Sequence, residues 1–215
     1  MESKPTKPDV SPNNPCPFLR ALAAYGFIKE RMEKLPTIAK KVSLIGGELH
    51  GKKLLSKNTL YIIALVANGL KPLRLFHNFW KGVDVGDLRN GPLDKKGVGS
   101  RIINVAGKID ETELARLNTY AIDVTDKNSG RVERGLCSKQ LQQMMDANFE
   151  RSGGQRRKID RALMNGEWPV LLKVMGKNEG EERYLSLEEL RELFVNLRLP
   201  DRISQRIEEM QLGKH

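Results

Sequence analysis

Apolar residues recur three and four positions apart along most of this chain, the spacing of a single helix face. That spacing predicts a helix from Leu19 to Glu33 and a second opened by Leu35-Pro36-Thr37. In the second, Ile38, Val42 and Ile45 face inward and Gly46-Gly47 form the stop. Asn58 or Thr59 can cap a third helix over Leu60 to Asn68, which Gly69 ends. Pro72 to Phe79 reads as a short turn or helix, and the Gly, Asp, Asn and Pro of Gly82 to Gly99 as loop, with Leu88 to Asp94 an organised turn. A short helix is expected over Val98 to Val105. Another opens at Asp110-Glu111-Thr112-Glu113, where acidic residues meet the positive end of the dipole. A long helix is predicted from Ser138 to Ser152, ended by Gly153-Gly154, followed by helices over Arg156 to Leu163 and Glu167 to Met175. Ser186, with Glu189 three residues on, forms a capping-box pattern ahead of a last helix, Leu187 to Leu197. No convincing run alternates with the period of a strand, and no internal repeat is visible. The expected fold is all-α: a mobile or wrapping arm over 1–14, then a single helical domain over 15–215 around a pocket.

Size and charge narrow the picture. A globule of 215 residues buries roughly 70% of its unfolded surface, enough to enclose a cofactor. The longest apolar stretch, Leu60 to Leu70, falls short of the ~20 residues that span a bilayer. Met1 to Asn14 is polar and proline-rich, with none of the apolar core of a signal peptide. A soluble cytoplasmic protein with no membrane partner is the expectation. The formal net charge of +10 suits a polyanion. A basic helical module contacting nucleic acid through Arg151, Arg156, Arg157, Lys158 and Arg161 is therefore an alternative. Against it, 27 acidic residues are interspersed with the basic ones and aromatics make up only 6%. No nucleic-acid recognition motif is present, so a solvated cationic surface is the preferred reading. The two cysteines, Cys16 and Cys137, suggest no disulfide framework. Oligomeric state is left open.

The most informative local chemistry lies at Asn14-Pro15-Cys16-Pro17-Phe18. Prolines on both sides hold Cys16 in an extended approach, and Pro17 fits the first helical turn, where its missing N–H costs nothing. The sulfur then stands near a helix N-terminus, whose amides and dipole favour a thiolate that can ligate metal or act as a nucleophile. A free cysteine merely packed at a helix start explains the same residues.

The string Pro15-Cys16-Pro17-Phe18-Leu19-Arg20-Ala21-Leu22-Ala23-Ala24-Tyr25-Gly26-Phe27-Ile28 resembles the proximal motif of the haem-thiolate peroxidases, the chloroperoxidase and unspecific-peroxygenase family. Ala24-Tyr25 departs from the Asn-His usual there. Gly166 to Gly176 is similar to the family's late Gly-Glu-apolar helix, Tyr184 to Phe194 to its final helix, and Leu197-Arg198-Leu199-Pro200 to its closing Arg-Leu-Pro. The matches cover both ends of the chain, while 45–120 match only in helical character. The resemblance implies haem b with Cys16 as axial ligand, flanked by Pro15 and Pro17. It also implies hydrogen peroxide as oxidant and a small apolar organic substrate to be oxidised or oxygenated. Characterised relatives are mostly secreted, a departure in compartment.

The same resemblance calls for a distal carboxylate that moves a proton on bound peroxide. The helix Ser138 to Ser152 aligns best with the family's distal helix, and Gln143, Asp146 and Glu150 share its polar face. Glu150 is the first choice for acid–base residue, Asp146 the second and Glu167 the third, although a solvated helix face explains the stripe equally well. The family's divalent-cation motif is reduced here to Asp126, Ser129 and Arg134, so Asp126 and Ser129 are offered as ligands for Mg²⁺. No acidic residue falls twelfth from Asp126, which excludes an EF-hand, and a plain polar turn reads as well. His50 could stand near the pocket. His77 lies in an aromatic cluster, and His215 is terminal. A haem-binding relative that carries or senses rather than catalyses is a further alternative.

Overall fold

Pro17 opens the first helix, α1 (Pro17–Ala24), and Gly26, at φ 67°, closes it. In this computed structural model the described residues are 10–46, 48–49, 52–53, 55–89, 101–151, 167–179 and 182–213. The helix expected to run on to Glu33 therefore stops nine residues sooner, because only glycine takes that left-handed turn cheaply. Helix α2 (Leu35–Gly46) turns Leu35, Ile38, Ala39, Val42 and Ile45 inward. A two-residue hairpin of β1 (Glu48–Leu49) and β2 (Lys52–Lys53) separates it from α3 (Lys57–Val66). Ser56, rather than Asn58 or Thr59, caps α3 by accepting from the Asn58 amide at 3.2 Å. Helix α4 (Pro72–Trp80) packs on α3, with the buried Asn78 side chain donating to the Leu65 carbonyl at 2.8 Å.

The segment 101–105 is not the helix its pattern suggested; Ile103 forms an antiparallel bridge with Ile109. Asp110 then caps α5 (Glu111–Arg116) by accepting from the Thr112 and Glu113 amides.

The all-α expectation is overturned by a four-stranded antiparallel sheet. Strands β3 (Ile122–Thr125) and β4 (Val132–Cys137) form one hairpin, β5 (Lys177–Glu179) and β6 (Glu182–Ser186) another, in the order β3-β4-β6-β5. In register, Leu136 faces Leu185 and Cys137 faces Tyr184. Both central strands pass from exposed to buried along their length instead of alternating, their last three residues being buried in succession. A pattern of that kind carries no period of two.

Helix α6 (Ser138–Arg151) follows β4 directly. Helix α7 (Glu167–Met175) covers the core with Trp168, Leu171, Val174 and Met175. Helix α8 (Leu187–Arg191) runs into a π-helical turn, Glu192–Asn196, and Leu197 at φ 54° ends it. Helix α9 (Asp201–Gln211), unforeseen from the sequence, is fastened to the body by the Arg206 guanidinium on the Ile45 carbonyl at 2.9 Å. Among the described residues no helix is long and apolar enough to cross a membrane.

Candidate functional site

Residues 10–14 wrap the body and fix the approach to α1. Ser11 donates its amide to Glu30 at 2.7 Å and its hydroxyl to the Gly86 carbonyl at 2.6 Å. The Asn13 carbonyl accepts from the amides of Leu88 and Arg89. Asn14 is fully buried, and its side-chain oxygen accepts from the Cys16 amide at 2.9 Å, an Asx turn just ahead of the helix. The Arg20 guanidinium reaches back to the Asn14 carbonyl at 3.4 Å. Cys16 occupies the N-cap of α1 in extended conformation, φ −84° and ψ 111°, with Pro17 in the first helical turn.

Cys16 lines a cavity of about 370 Å³. Its wall is built from the start of α1, from Ile38, Ala39 and Val42 of α2, from Leu60, Ile63 and Ala64 of α3, and from Ala67 just past its end. Val83, Val85 and Leu88 of the segment after α4 close one side, and Val170, Leu171 and Val174 of α7 another. Small side chains at 39, 64 and 67 leave the space open. Among the described lining residues only two side chains are not plain hydrocarbon: Cys16 and Glu167. Glu167 is the first residue of α7, and its charge is near enough to act on the Cys16 thiol.

That thiol is pushed up to about 12, first by burial and then by the Glu167 charge. Amides of Leu19 and Phe18 donate toward the sulfur and pull the other way, as a helix N-terminus should, but they lose. Desolvation of a thiolate in an apolar wall outweighs the pull of the helix-start amides. Without a ligand Cys16 is therefore a protonated thiol at neutral pH, not the thiolate that its place on the helix suggests.

The structure brings together Pro15, Cys16, Pro17 and Glu167 around one space. Glu150 and Asp146 stand elsewhere. Helix α6 turns Leu141, Met144, Met145 and Asn148 inward, which leaves Glu150 exposed at its end. Asp146 is half-buried and accepts from Gln142 at 3.1 Å. Asp126 and Ser129 meet in the β3–β4 turn, where Asp126 accepts from the Ser129 hydroxyl at 3.0 Å and from the Asn128 amide at 2.9 Å. The Lys177 ammonium, 3.8 Å away, already supplies positive charge at that carboxylate, so this pair does not fit a Mg²⁺ site. No group of three or more potential metal-ligating side chains occurs among the described residues. His77 is half-buried 3.8 Å from Asp84, while His50 and His215 lie outside the described residues.

A buried polar cluster had no sequence-level signal. Glu133 of β4 accepts from the Lys177 ammonium and the Tyr184 hydroxyl, each at 2.7 Å, and from the Ser186 hydroxyl at 2.5 Å. Ser186 thus stands at the N-cap of α8 without capping it, because a carboxylate is the stronger partner. The cavity wall itself did have a signal: Leu60 to Ala67 is apolar almost all round, more than a helix resting on one core face requires.

No protein-family model, curated protein or solved structure matches the chain.

Proposed function

We propose that this protein is a haem-thiolate peroxidase or peroxygenase, in which Cys16 would hold the haem iron and Glu167, rather than Glu150, would serve as the acid–base residue. The observation that supports this reading is that one thiol and one carboxyl share an otherwise apolar cavity. A cofactor pocket has that character, apolar walls with a few placed polar groups. The donor that would hold haem iron is a single cysteine presented at the N-cap of α1 by a rigid Pro-Cys-Pro turn. Haem bound there supplies the redox chemistry of peroxide activation.

The chain's own residues do the remainder. Asn14 and Pro17 hold the Cys16 backbone so that the thiol needs no reorganisation. Cys16 would hold the iron as its thiolate, the ligating form, and the amides at the start of α1 would favour that anion. Glu167, in an apolar wall, takes and returns a proton within the cavity. The hydrocarbon lining selects an apolar organic molecule as substrate and excludes water from it. Peroxygenation balances as substrate C–H plus hydrogen peroxide giving alcohol plus water.

Reconstituting the full chain with haemin tests this reading. A Soret band is expected, together with the long-wavelength absorption of a thiolate-ligated ferrous haem under carbon monoxide. The Cys16→Ser variant loses that signature. Glu167→Gln keeps the haem but loses peroxide turnover by about a hundredfold or more, while Glu150→Gln leaves turnover unchanged. A chain that takes up no haem, or a Cys16→Ser variant with the wild-type spectrum, overturns the proposal. A haem-loaded protein without turnover identifies the non-catalytic haem binder instead.

A further inference from the structure

Helices α2 and α7 end side by side: a Cβ on Gly46, the last residue of α2, would lie 3.9 Å from Val174 Cγ2 near the end of α7. Each end leaves carbonyls that no helical amide can take, and three arginines from elsewhere reach them. Arg183 of β6 donates Nε to the Leu172 carbonyl at 3.4 Å and Nη2 to that of Gly176. Arg202 of α9 donates to the Met175 carbonyl and, through both Nη atoms, to Glu189. Arg206, one turn further along α9, donates Nη1 to the Ile45 carbonyl at 2.9 Å. Gly176 keeps the approach open, since a Cβ there would stand 3.1 Å from Arg183 Nε.

Holding the helix ends accounts for part of this arrangement and leaves a remainder. The two ends, each worth about half a negative charge, and the Glu189 carboxylate offset only about two of the three positive charges. Glu189 is moreover shared with Lys177, 3.5 Å away, whose closer partner is Glu133 at 2.7 Å. The guanidiniums are near enough to repel one another: burial first, then the charges of Arg202 and Arg206, lower the Arg183 pKa. Donors are left over as well. Among the described residues Nη1 of Arg183 and Nε and Nη2 of Arg206 have no hydrogen-bond partner, and both side chains are half-buried with none of these nitrogens sealed from solvent. Like charges brought together with donors to spare mark a place for a ligand of the opposite sign.

We propose that Arg183, Arg202 and Arg206 form a binding site for a small phosphate-bearing anion. A guanidinium offers parallel N–H groups that match the oxygens of a phosphate. Forks arriving from a strand and from a helix suit an acceptor with oxygens on several sides better than a flat carboxylate. Exposed carboxylates bound the cluster along both elements, Glu182 before Arg183 and Glu208 and Glu209 after Arg206. They oppose an extended polyanion, whose binding rests on many phosphate contacts, and admit a compact one. The anion neutralises the remaining charge and ties β6 to α9 across the ends of α2 and α7. None of the three arginines lines the cavity, and the proposal does not depend on the haem assignment.

Modification of the full chain by phenylglyoxal, an arginine reagent, mapped by mass spectrometry, is the test. Inorganic phosphate should slow modification of Arg183 and Arg206, measured against sodium chloride of equal ionic strength, and leave the exposed Arg131 unprotected. Phosphate should also raise the melting temperature saturably. In Arg206→Gln the phosphate Kd should weaken by about tenfold or more, the loss of one charged hydrogen-bonding partner, while Arg131→Gln binds as the wild type does. If Arg206→Gln does not fold, the protection pattern of the wild type decides alone. Absence of protection, equal protection by chloride, or wild-type affinity in a folded Arg206→Gln variant overturns the proposal. So does a single-stranded oligonucleotide that protects Arg131 together with the cluster at concentrations where phosphate protects neither, which would assign the surface to nucleic acid.

Discussion

The Cys16 thiol sits between opposing influences of known sign, and that makes its reactivity predictable. Burial and the Glu167 charge raise its pKa to about 12, against the amides of Leu19 and Phe18. Only a minute fraction is then thiolate at neutral pH, so alkylation of Cys16 by iodoacetamide should be far slower than that of a free cysteine. The rate should rise about tenfold per pH unit, because the thiolate is the nucleophile. Glu167→Gln removes one of the two causes of the upward shift. The pKa then falls, and alkylation at fixed pH should quicken severalfold, followed on the Cys16 peptide by mass spectrometry so that Cys137 does not confuse the count. An unchanged rate would separate the two side chains. The turn that presents Cys16 was legible in the sequence, since proline and asparagine act locally. Its protonation was not, because burial depends on α2, α3 and α7, which are remote along the chain.

Among the elements, the sheet is where the sequence misleads most. The helices α2, α3, α4, α6 and α7 carry their own spacing and caps, and each lies within a few residues of its expected place. Strands β4 and β6 do not, since Val132-Glu133-Arg134-Gly135-Leu136-Cys137 is charged at one end and buried on both faces at the other. Gly135 holds a clue visible only in three dimensions: a Cβ there would lie 2.6 Å from both Tyr184 and Val124. Gly135→Ala should therefore cost about 1–3 kcal/mol in urea unfolding, the range of overpacked cores. The neighbouring Glu133 adds a pH dependence. Burial pushes its carboxyl up, but the hydrogen bonds from Lys177, Ser186 and Tyr184 together hold it below its ordinary 4.5. The stabilisation it provides is complete above that value and is lost as pH falls through the lower folded-state value. Lys177 is shifted the opposite way, above 10.5, so its share is lost only as the solution becomes strongly alkaline. Glu133→Gln should lower stability at neutral pH and flatten the acid limb of the stability profile. An acid limb as steep as wild type would place that dependence on other carboxylates.

At the scale of the molecule, the cavity is what the elements jointly produce, and no single one foreshadows it. Its walls come from residues 15–19, 38–42, 60–67, 83–88 and 167–174, and α9 secures the arrangement from outside. Arg202 of α9 pairs with Glu189 at 2.5 Å, and Arg206 holds the end of α2. An unfilled apolar space forfeits packing, by about 24 cal/mol for each Å³ that neighbouring atoms do not reclaim. Filling that space with a side chain recovers packing at the expense of whatever it would hold. Ala64→Leu tests that trade directly, because Ala64 is buried on the wall and a larger side chain has space to enter. In the ligand-free chain the substitution should raise unfolding free energy by about 1–2 kcal/mol, as cavity-filling changes do. On the proposed reading the same leucine should impair haem uptake, so the rise in melting temperature expected from adding haemin to the wild type should shrink. Stabilisation with haem uptake undiminished would mean that the cofactor, if bound, lies outside this cavity. A loss of stability would mean that the space is already closed in solution.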